Sequence, residues 1–391
     1  MKLQKLDKNK IKNKRVLLRC DFNVPISAGK IREDFKIKQS LKTIVFLLDN
    51  NCEVILLSHL GQPKEGFDKK FSLKPIALYL SKILARKIDF LPYDKYSKFV
   101  DIKKEINTKS KNGQKIFLLD NIRFFDGEGR DCLRLGKSLA SLADVYVNDA
   151  FAVSHRTNSS VSAVRRNKPS FAGFLLNKEL ENLEKIIKPK KPLVLVMGGA
   201  KIASKAPIIK KLYDKSSYIL LGGALVNNFL KAKGFNIGKS LFDDGSDKIV
   251  KTYLNSKKII LPIDVVVGFK DSTGRMIKKI KSVSEVSDND FIYDIGPETI
   301  SLFSKYIKKA RTVVWNGPMG KFEDSNFKKG TVMIASQIAT HARGSAFGVV
   351  GGGETVEALN LSGMSSYMDW VSTGGGAMLD YLSGEKMPGI N

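Results

Sequence analysis

The sequence is poor in the residues that build metal centres and disulfides. Its 391 residues include only three cysteines and three histidines. Cys20, Cys52 and Cys132 form no closely spaced pair, and each lies in or beside an apolar segment. Small buried thiols are therefore expected, rather than a zinc site, a disulfide or a nucleophile, and such usage fits a reducing cytoplasm. No His-x-x-x-His spacing and no Ser-His-Asp ordering occurs. No uncharged run approaches the ~20 residues of a membrane helix. The opening "MKLQKLDKNK" is charged with no apolar stretch behind it, which is not the build of a secretory signal. Neither the dinucleotide fingerprint G-x-G-x-x-G nor the phosphate loop G-x-x-x-x-G-K-[ST] is present.

Acidic residues are also scarce. Lys and Arg number 66 against 39 Asp and Glu, a formal charge of +27. Such a surface attracts polyanions, so nucleic acid is a partner to weigh. Yet the lysines are spread along the whole chain, with no Arg-rich arm and no strand of interleaved aromatics. A solvated lysine-rich surface that helps collect small anionic substrates fits this pattern better than a nucleic-acid binder.

What the chain has in quantity is alternation. Short apolar runs rich in β-branched residues occur at 15–19, 53–58, 115–119 and 145–148, and again at 193–198, 218–223, 312–317 and 346–352. Helix-like stretches lie between them, among them 36–49, 72–85, 133–142, 203–213, 222–233, 298–309, 324–340 and 354–361. Strands that read as continuous apolar runs between helices predict parallel sheets covered on both faces, an α/β doubly wound architecture. The break "RRNKPSFAG" at 165–173, the helix-like 175–187 and "KPKKP" at 188–192 suggest two such lobes joined by a connecting helix. The expected domains are residues 1–172 and 173–379.

In open α/β sheets ligands bind beyond the carboxyl ends of the strands. In the second half those ends are glycine-rich: "MGGAKIASK", "LGGAL", "WNGPMGKFE" and "GGGET", with a further triplet in "STGGGAMLDYL". Glycines there let backbone N–H groups close on phosphate oxygens at a helix start, although tight strand-to-helix turns also use glycine for sterics alone. In the first half the ends are polar and basic: "RCDFNVP", "SHLGQP", "LLDNIRFF" and "VNDAFAVSHR". His59, His155, Arg19, Arg123 and Arg156 sit in or near them, a set suited to a compact anion. Asp21 and Asn23 could accept from a substrate hydroxyl, or could simply form an Asx-type turn.

These segments resemble phosphoglycerate kinases, in that family's order, from about residue 14 to the end. "RVLLRCDFNVP", "SLADVYVNDAF", "GGAKIASK", "LPIDVVV", "DIGPETI", "TVVWNGPMGKFE", "FGVVGGGET" and "STGGGAMLDYLSG" carry the likeness. The resemblance implies two Rossmann-like lobes with a hinge, the last residues (about 380–391) packing back on the first. It implies a cytoplasmic, monomeric enzyme that reversibly moves a phosphoryl group between 1,3-bisphosphoglycerate plus MgADP and 3-phosphoglycerate plus MgATP, with lobe closure. Asp21, Phe22, Asn23, Lys36, His59, Gln62, Arg123 and Arg156 would then line the acid site. Lys201 and Lys205 would contact nucleotide and the transferring phosphoryl group, with Lys36, Lys201, Gly352 and Gly375 closest to the transfer. Gly222, Gly223 and Pro318 would border the base, Glu323 the ribose and Asn316 the phosphates. Gly351, Gly352, Gly353, Thr355, Gly374, Gly375 and Gly376 would cradle phosphates, and Glu354 would hold Mg²⁺ together with them.

The chain departs from the family pattern at functional positions. Lys36 stands where the family has arginine, Gln62 replaces an arginine of "SHLGRP", and Glu354 replaces the aspartate of "GGGD". Ser204 stands where aspartate is common, and Asn158 stands in place of a histidine. Because Lys201, Lys205, Arg123, Arg156 and His59 are present, a working kinase with shifted kinetics is expected. The alternatives are a duplicated member that binds nucleotide with impaired transfer, and a basic polyanion-binding protein on the same fold.

Overall fold

Successive residues of the central strands point to opposite faces, and here both faces are apolar. Val16, Leu18, Val54, Leu56 and Leu118 pack in one core cluster, while Leu17, Ile55, Leu57, Phe117 and Leu119 pack in another. A sheet buried on both sides must be covered by helices on both sides, which is why these runs show no polar alternation. Each fully buried Leu, Ile or Phe contributes about 1.5–3 kcal/mol relative to leaving it exposed. The computed structural model describes residues 3–64 and 66–391.

The chain divides into two compact units, Met1–Glu181 with Glu385–Asn391, and Asn182–Gly384. The division falls inside the helix Phe174–Ile187, later than the boundary at 172 read from the sequence. The first unit holds a seven-stranded parallel sheet. Its strands are β1 (Gln4–Lys5), β2 (Arg15–Arg19), β3 (Glu53–Leu57), β4 (Asp89–Leu91), β5 (Ile116–Leu119), β6 (Val145–Asn148) and β7 (Ser170–Ala172), in the order β1-β7-β6-β2-β3-β5-β4. Leu17 of β2 sits opposite Ile55 of β3 on one side and Tyr146 of β6 on the other. The chain winds outward from β2 through β3 to the edge strand β4, steps back to β5 and then crosses to β6, so the switch point lies beyond the ends of β2 and β6. The helix Phe35–Asp49 buries Ile37, Ser40, Ile44 and Leu47, a stripe at spacings of three and four. The C-terminal residues close this unit: Ile390 C=O accepts from Leu3 N–H at 3.1 Å, and Asn148 Nδ2 donates to Gly389 C=O at 2.9 Å.

The second unit carries β8 (Leu193–Met197), β9 (Tyr218–Leu221), β10 (Ile259–Ile260), β14 (Thr312–Asn316), β15 (Phe347–Val350) and β16 (Trp370–Val371) in one parallel sheet, ordered β10-β9-β8-β14-β15-β16. Its switch point lies between β8 and β14. A separate antiparallel sheet follows β10 in the chain: β11 (Asp264–Lys270) between β12 (Met276–Ser282) and β13 (Phe291–Ile295). The sequence reading has no counterpart for it. Strand β12 carries Lys278, Lys279 and Lys281 and is largely exposed, so it lacks the apolar run that marks the other strands. Among the described residues no helix is long and apolar enough to cross a membrane.

One buried carboxyl anchors the helix at 174–187. Asp149 Oδ1 accepts from Leu176 N–H at 3.1 Å in that helix's first turn, and Thr43 Oγ1 accepts from Phe174 N–H at 3.0 Å. Gly173 is required here, because a Cβ at that position would overlap the Asp149 carboxyl. Burial pushes Asp149 from its usual value near 4 up to about 7. A raised carboxyl contributes stability that is present below its unfolded value and lost as pH rises through about 7. Asp149→Asn keeps an acceptor and removes the titration. Its melting temperature relative to wild type should therefore rise between pH 5 and pH 8, as thermal melts across that range would show. A difference that stays flat would mean Asp149 is ionised throughout.

Candidate active site

Polar groups gather just past the ends of the first unit's strands. Arg19 ends β2 with its guanidinium buried. Its Nε donates to Ser160 Oγ at 3.0 Å, an Nη donates to the Cys20 carbonyl, and the other lies 3.2 Å from His59 Nδ1. Asp21 is 3% exposed; its Oδ2 accepts from Lys36 Nζ at 2.8 Å and its Oδ1 from Asn23 N–H at 3.1 Å. Asp21 thus forms the Asx-type turn and also holds a lysine. Burial pushes the Asp21 carboxyl up, but the Lys36 ammonium, helped by the Asn23 N–H, more than offsets this, and it lies below the usual carboxylate value. Burial also pushes the His59 imidazole well below its ordinary value, aided by Arg19, Arg123 and Lys36 against the opposing pull of Asp21. Burial among these cations favours the neutral ring.

Gly61 joins this cluster to a second one. Its N–H donates to Asn23 Oδ1 at 2.9 Å, and its carbonyl accepts from Arg123. Arg123 and Arg156 then line a cavity of about 990 Å³ together with Gln62, His155 and Asn158. Burial lowers the Arg123 value, and Arg156 and Arg19 lower it further. A guanidinium cannot discharge itself by losing its proton, so the crowding of like charge favours an incoming anion. Phe22 stands apart: its ring is wholly buried in the core and its N–H donates to Ser58 Oγ at 2.9 Å, so it sets the spacing of Asp21 and Asn23. Asn158 Nδ2 donates to the Glu128 carbonyl at 3.0 Å, bracing the cavity wall.

The second unit presents a different surface. A cavity of about 490 Å³ brings together Gly199, Gly223, Pro318, Glu323 and Glu354. Its apolar wall includes Val226, Leu241, Met319 and Tyr293. Four separate segments supply that wall, and no local pattern in the sequence announces it. The glycines divide into two kinds. A Cβ on Gly223 would meet Gly199 N at 2.6 Å and Pro318 O at 2.8 Å, so main chain packs on main chain there, while Gly222 packs on the Met319 side chain. Similarly, Gly351 packs on Met378, and a Cβ on Gly375 would meet Gly352 Cα at 2.7 Å. By contrast Gly353 and Gly376, each in the first turn of a helix, have nothing within 4 Å. The protein itself does not require glycine there, whereas a ligand pressed against a helix start would. Gly374, the N-cap of the helix Gly375–Ser383, donates its N–H to Ser372 Oγ at 3.3 Å.

Asn316 and Thr355 hold these turns in register. Asn316 Nδ2 donates to Gly351 C=O at 2.6 Å, and Thr355 Oγ1 accepts from Gly317 N–H at 2.7 Å. Lys201 precedes the turn Ile202–Ser204 and is exposed; Ser204 Oγ donates to the Lys201 carbonyl at 2.8 Å. Lys205 is half-buried, and its value is lowered by burial against the opposing pull of Glu354. Among the described residues no cluster of three or more His, Cys, Asp or Glu could hold a metal ion by itself. Glu354, one of the carboxylates on the wall of the glycine-lined cavity, suits an ion that arrives with phosphates, since Mg²⁺ commonly takes one or two carboxylates and completes its shell with phosphate and water.

The chain is similar to known proteins over nearly its whole length. The family model described as phosphoglycerate kinase covers residues 6–385. A phosphoglycerate kinase of Finegoldia magna is 41% identical over 387 residues, spanning 97% of this chain and 96% of its own length. One of Wolbachia pipientis wMel is 40% identical, spanning 100% and 98%. Among solved structures, phosphoglycerate kinase from Coxiella burnetii superposes with a TM-score of 0.83 at 37% identity, covering 97% of this chain and 96% of that one.

Proposed function

The chain belongs to the phosphoglycerate kinase family, and on that premise we infer that it catalyses reversible phosphoryl transfer between 1,3-bisphosphoglycerate plus ADP and 3-phosphoglycerate plus ATP. The single observation that carries the division of labour is the contrast between the two units. One offers crowded cations around Gly61, the other a glycine-lined cavity with an apolar wall. We assign the acid to Asp21, Asn23, Lys36, His59, Gln62, Arg123 and Arg156. The nucleotide falls to Lys201, Lys205, Gly222, Gly223, Asn316, Pro318, Glu323 and the turns at 351–355 and 374–376.

The chemistry asks little of the protein beyond placement and charge. Phosphoryl transfer needs the attacking and leaving oxygens in line and positive charge around the three equatorial oxygens. Lys201, the N–H groups at Gly353 and Gly376 and the two helix starts supply that charge on the nucleotide side. Lys36, His59, Arg123 and Arg156 hold the acid so that its carboxylate can leave and return. A magnesium ion bound with the nucleotide, held by Glu354, would neutralise charge on the phosphate oxygens. One chain carries both halves of this machinery, so a single copy suffices, and three free cysteines are in keeping with a reducing cytoplasm.

Hydrogen exchange tests the assignment. 3-Phosphoglycerate should protect amides at 59–62, 121–124 and 155–157, and MgADP those at 199–205, 222–226 and 351–356. Protection of the second set by 3-phosphoglycerate would overturn it. The substitutions at positions 36 and 62 make a further prediction. Lys36→Arg with Gln62→Arg restores planar forks, each adding a charged hydrogen bond on the order of 1.5 kcal/mol. Steady-state kinetics should show kcat/KM for 3-phosphoglycerate rising by about tenfold or more. A fall would mean that the Lys36–Asp21 pair and Gln62 already suit this site as they stand.

A further inference from the structure

Arg19 makes no claim on the cavity surface, yet it is among the largest wholly buried side chains, at 1% exposure. A buried guanidinium needs a reason. Its Nη donor lies 3.2 Å from His59 Nδ1, and a guanidinium offers only donors. Nδ1 must therefore present its lone pair, which leaves the imidazole proton on Nε2. Among the described residues no protein group bonds that second nitrogen. Arg19 is itself held from behind. Ser160 Oγ accepts from Arg19 Nε at 3.0 Å and donates to Glu128 Oε1 at 2.6 Å, while Ser160 N–H donates to Glu128 Oε2 at 2.9 Å. Glu128, 2% exposed, supplies the countercharge through the serine.

We propose that Arg19, fixed by Ser160 and Glu128, is a positioning residue that holds His59 as the neutral Nε2–H tautomer, so that His59 meets the anionic acid as a hydrogen-bond donor whose charge does not change near neutral pH. The role rests on the assignment of the acid site made above. The groups facing His59 are Arg19 from β2, Asp21 from the turn that follows, Lys36 from the helix Phe35–Asp49 and Arg123 from the turn after β5. Asp21 Oδ1 lies 4.0 Å from Nδ1, too far to bond it and opposed by three cations. A protonated Nδ1 would point N–H against N–H.

Imidazole ¹⁵N spectra of the whole chain test this, with the three histidines assigned by His→Gln variants. The wild-type ring should show a pyridine-like Nδ1 and a pyrrole-like Nε2, unchanged between about pH 5.5 and 8, a window that spans the ordinary imidazole value. In Arg19→Gln, whose amide can also accept, His59 should titrate. The variant-to-wild-type ratio of KM for 3-phosphoglycerate should then rise about fivefold from pH 6 to pH 8, as a charged bond gives way to a neutral one. Ser160→Ala should move the same signals in the same direction to a lesser extent. A wild-type His59 protonated on Nδ1, or titrating within the window, overturns the proposal whether or not the variants fold. If the tautomer is as stated but 3-phosphoglycerate leaves the His59 signals unmoved, the acid-site assignment fails, and the role fails with it.

Discussion

Arg123→Met should raise the Kd for 3-phosphoglycerate by about a hundredfold while leaving the Kd for MgADP within about twofold, as isothermal titration would show. Arg123 is half-buried, and its charge stands against those of Arg156 and Arg19. Removing it deletes one or two charge-assisted bonds to the acid, each on the order of 1.5–3 kcal/mol. Part of that loss returns as relief of the like-charge crowding, which holds the estimate near a hundredfold rather than above a thousandfold. Arg123 also donates to the Gly61 carbonyl and so fixes the turn that carries Gln62. For that reason Arg123→Lys should recover little, since an ammonium cannot bond the carbonyl and fork an anion together. An unchanged Kd for the acid would remove Arg123 from the site.

Lys201→Met should act on the other half and on a different constant. Lys201 is exposed at the turn after β8, and among the described residues no carboxylate pairs with it. Its charge is available to oxygens that gain negative charge during transfer. Loss of such a group lowers kcat by about 10²–10³-fold with little change in KM, because the interaction matures only in the transition state. Steady-state kinetics in both directions would check this. A raised KM with kcat preserved would instead make Lys201 a binder of ground-state nucleotide phosphate.

The doubly wound build was legible because its strands are apolar on both faces and its helices carry apolar stripes at regular spacing. Strand β2 at Arg15–Arg19 and strand β6 at Val145–Asn148 match the runs read from the sequence residue for residue. The antiparallel sheet was not legible, since β12 mixes lysines with isolated Met276, Ile277 and Ile280 on an exposed strand. Strand ends located the polar and glycine-rich turns, but a single sequence does not separate a glycine that yields to another backbone from one that leaves room for a ligand. Gly223 and Gly375 proved to be the first kind, while Gly353 and Gly376 face open space. The buried Arg19–Ser160–Glu128 chain was also hidden, because Arg19 lies 141 residues from Ser160 and only the fold brings them together.

Lys36, Gln62 and Glu354 change the detail of the site without removing a functional charge except at position 62. Lys36 keeps its cation beside Asp21, and Glu354 keeps a carboxylate on the glycine-lined cavity. These substitutions predict altered rates, and the family relationship argues against a chain that binds nucleotide without transferring phosphate.

Mixing the purified chain with 1,3-bisphosphoglycerate and MgADP, and following ATP and 3-phosphoglycerate together, puts the whole assignment to the test. The two products should appear one for one, and Arg123→Met and Lys201→Met should each suppress them. Tight binding of both ligands with no ATP formed would contradict it.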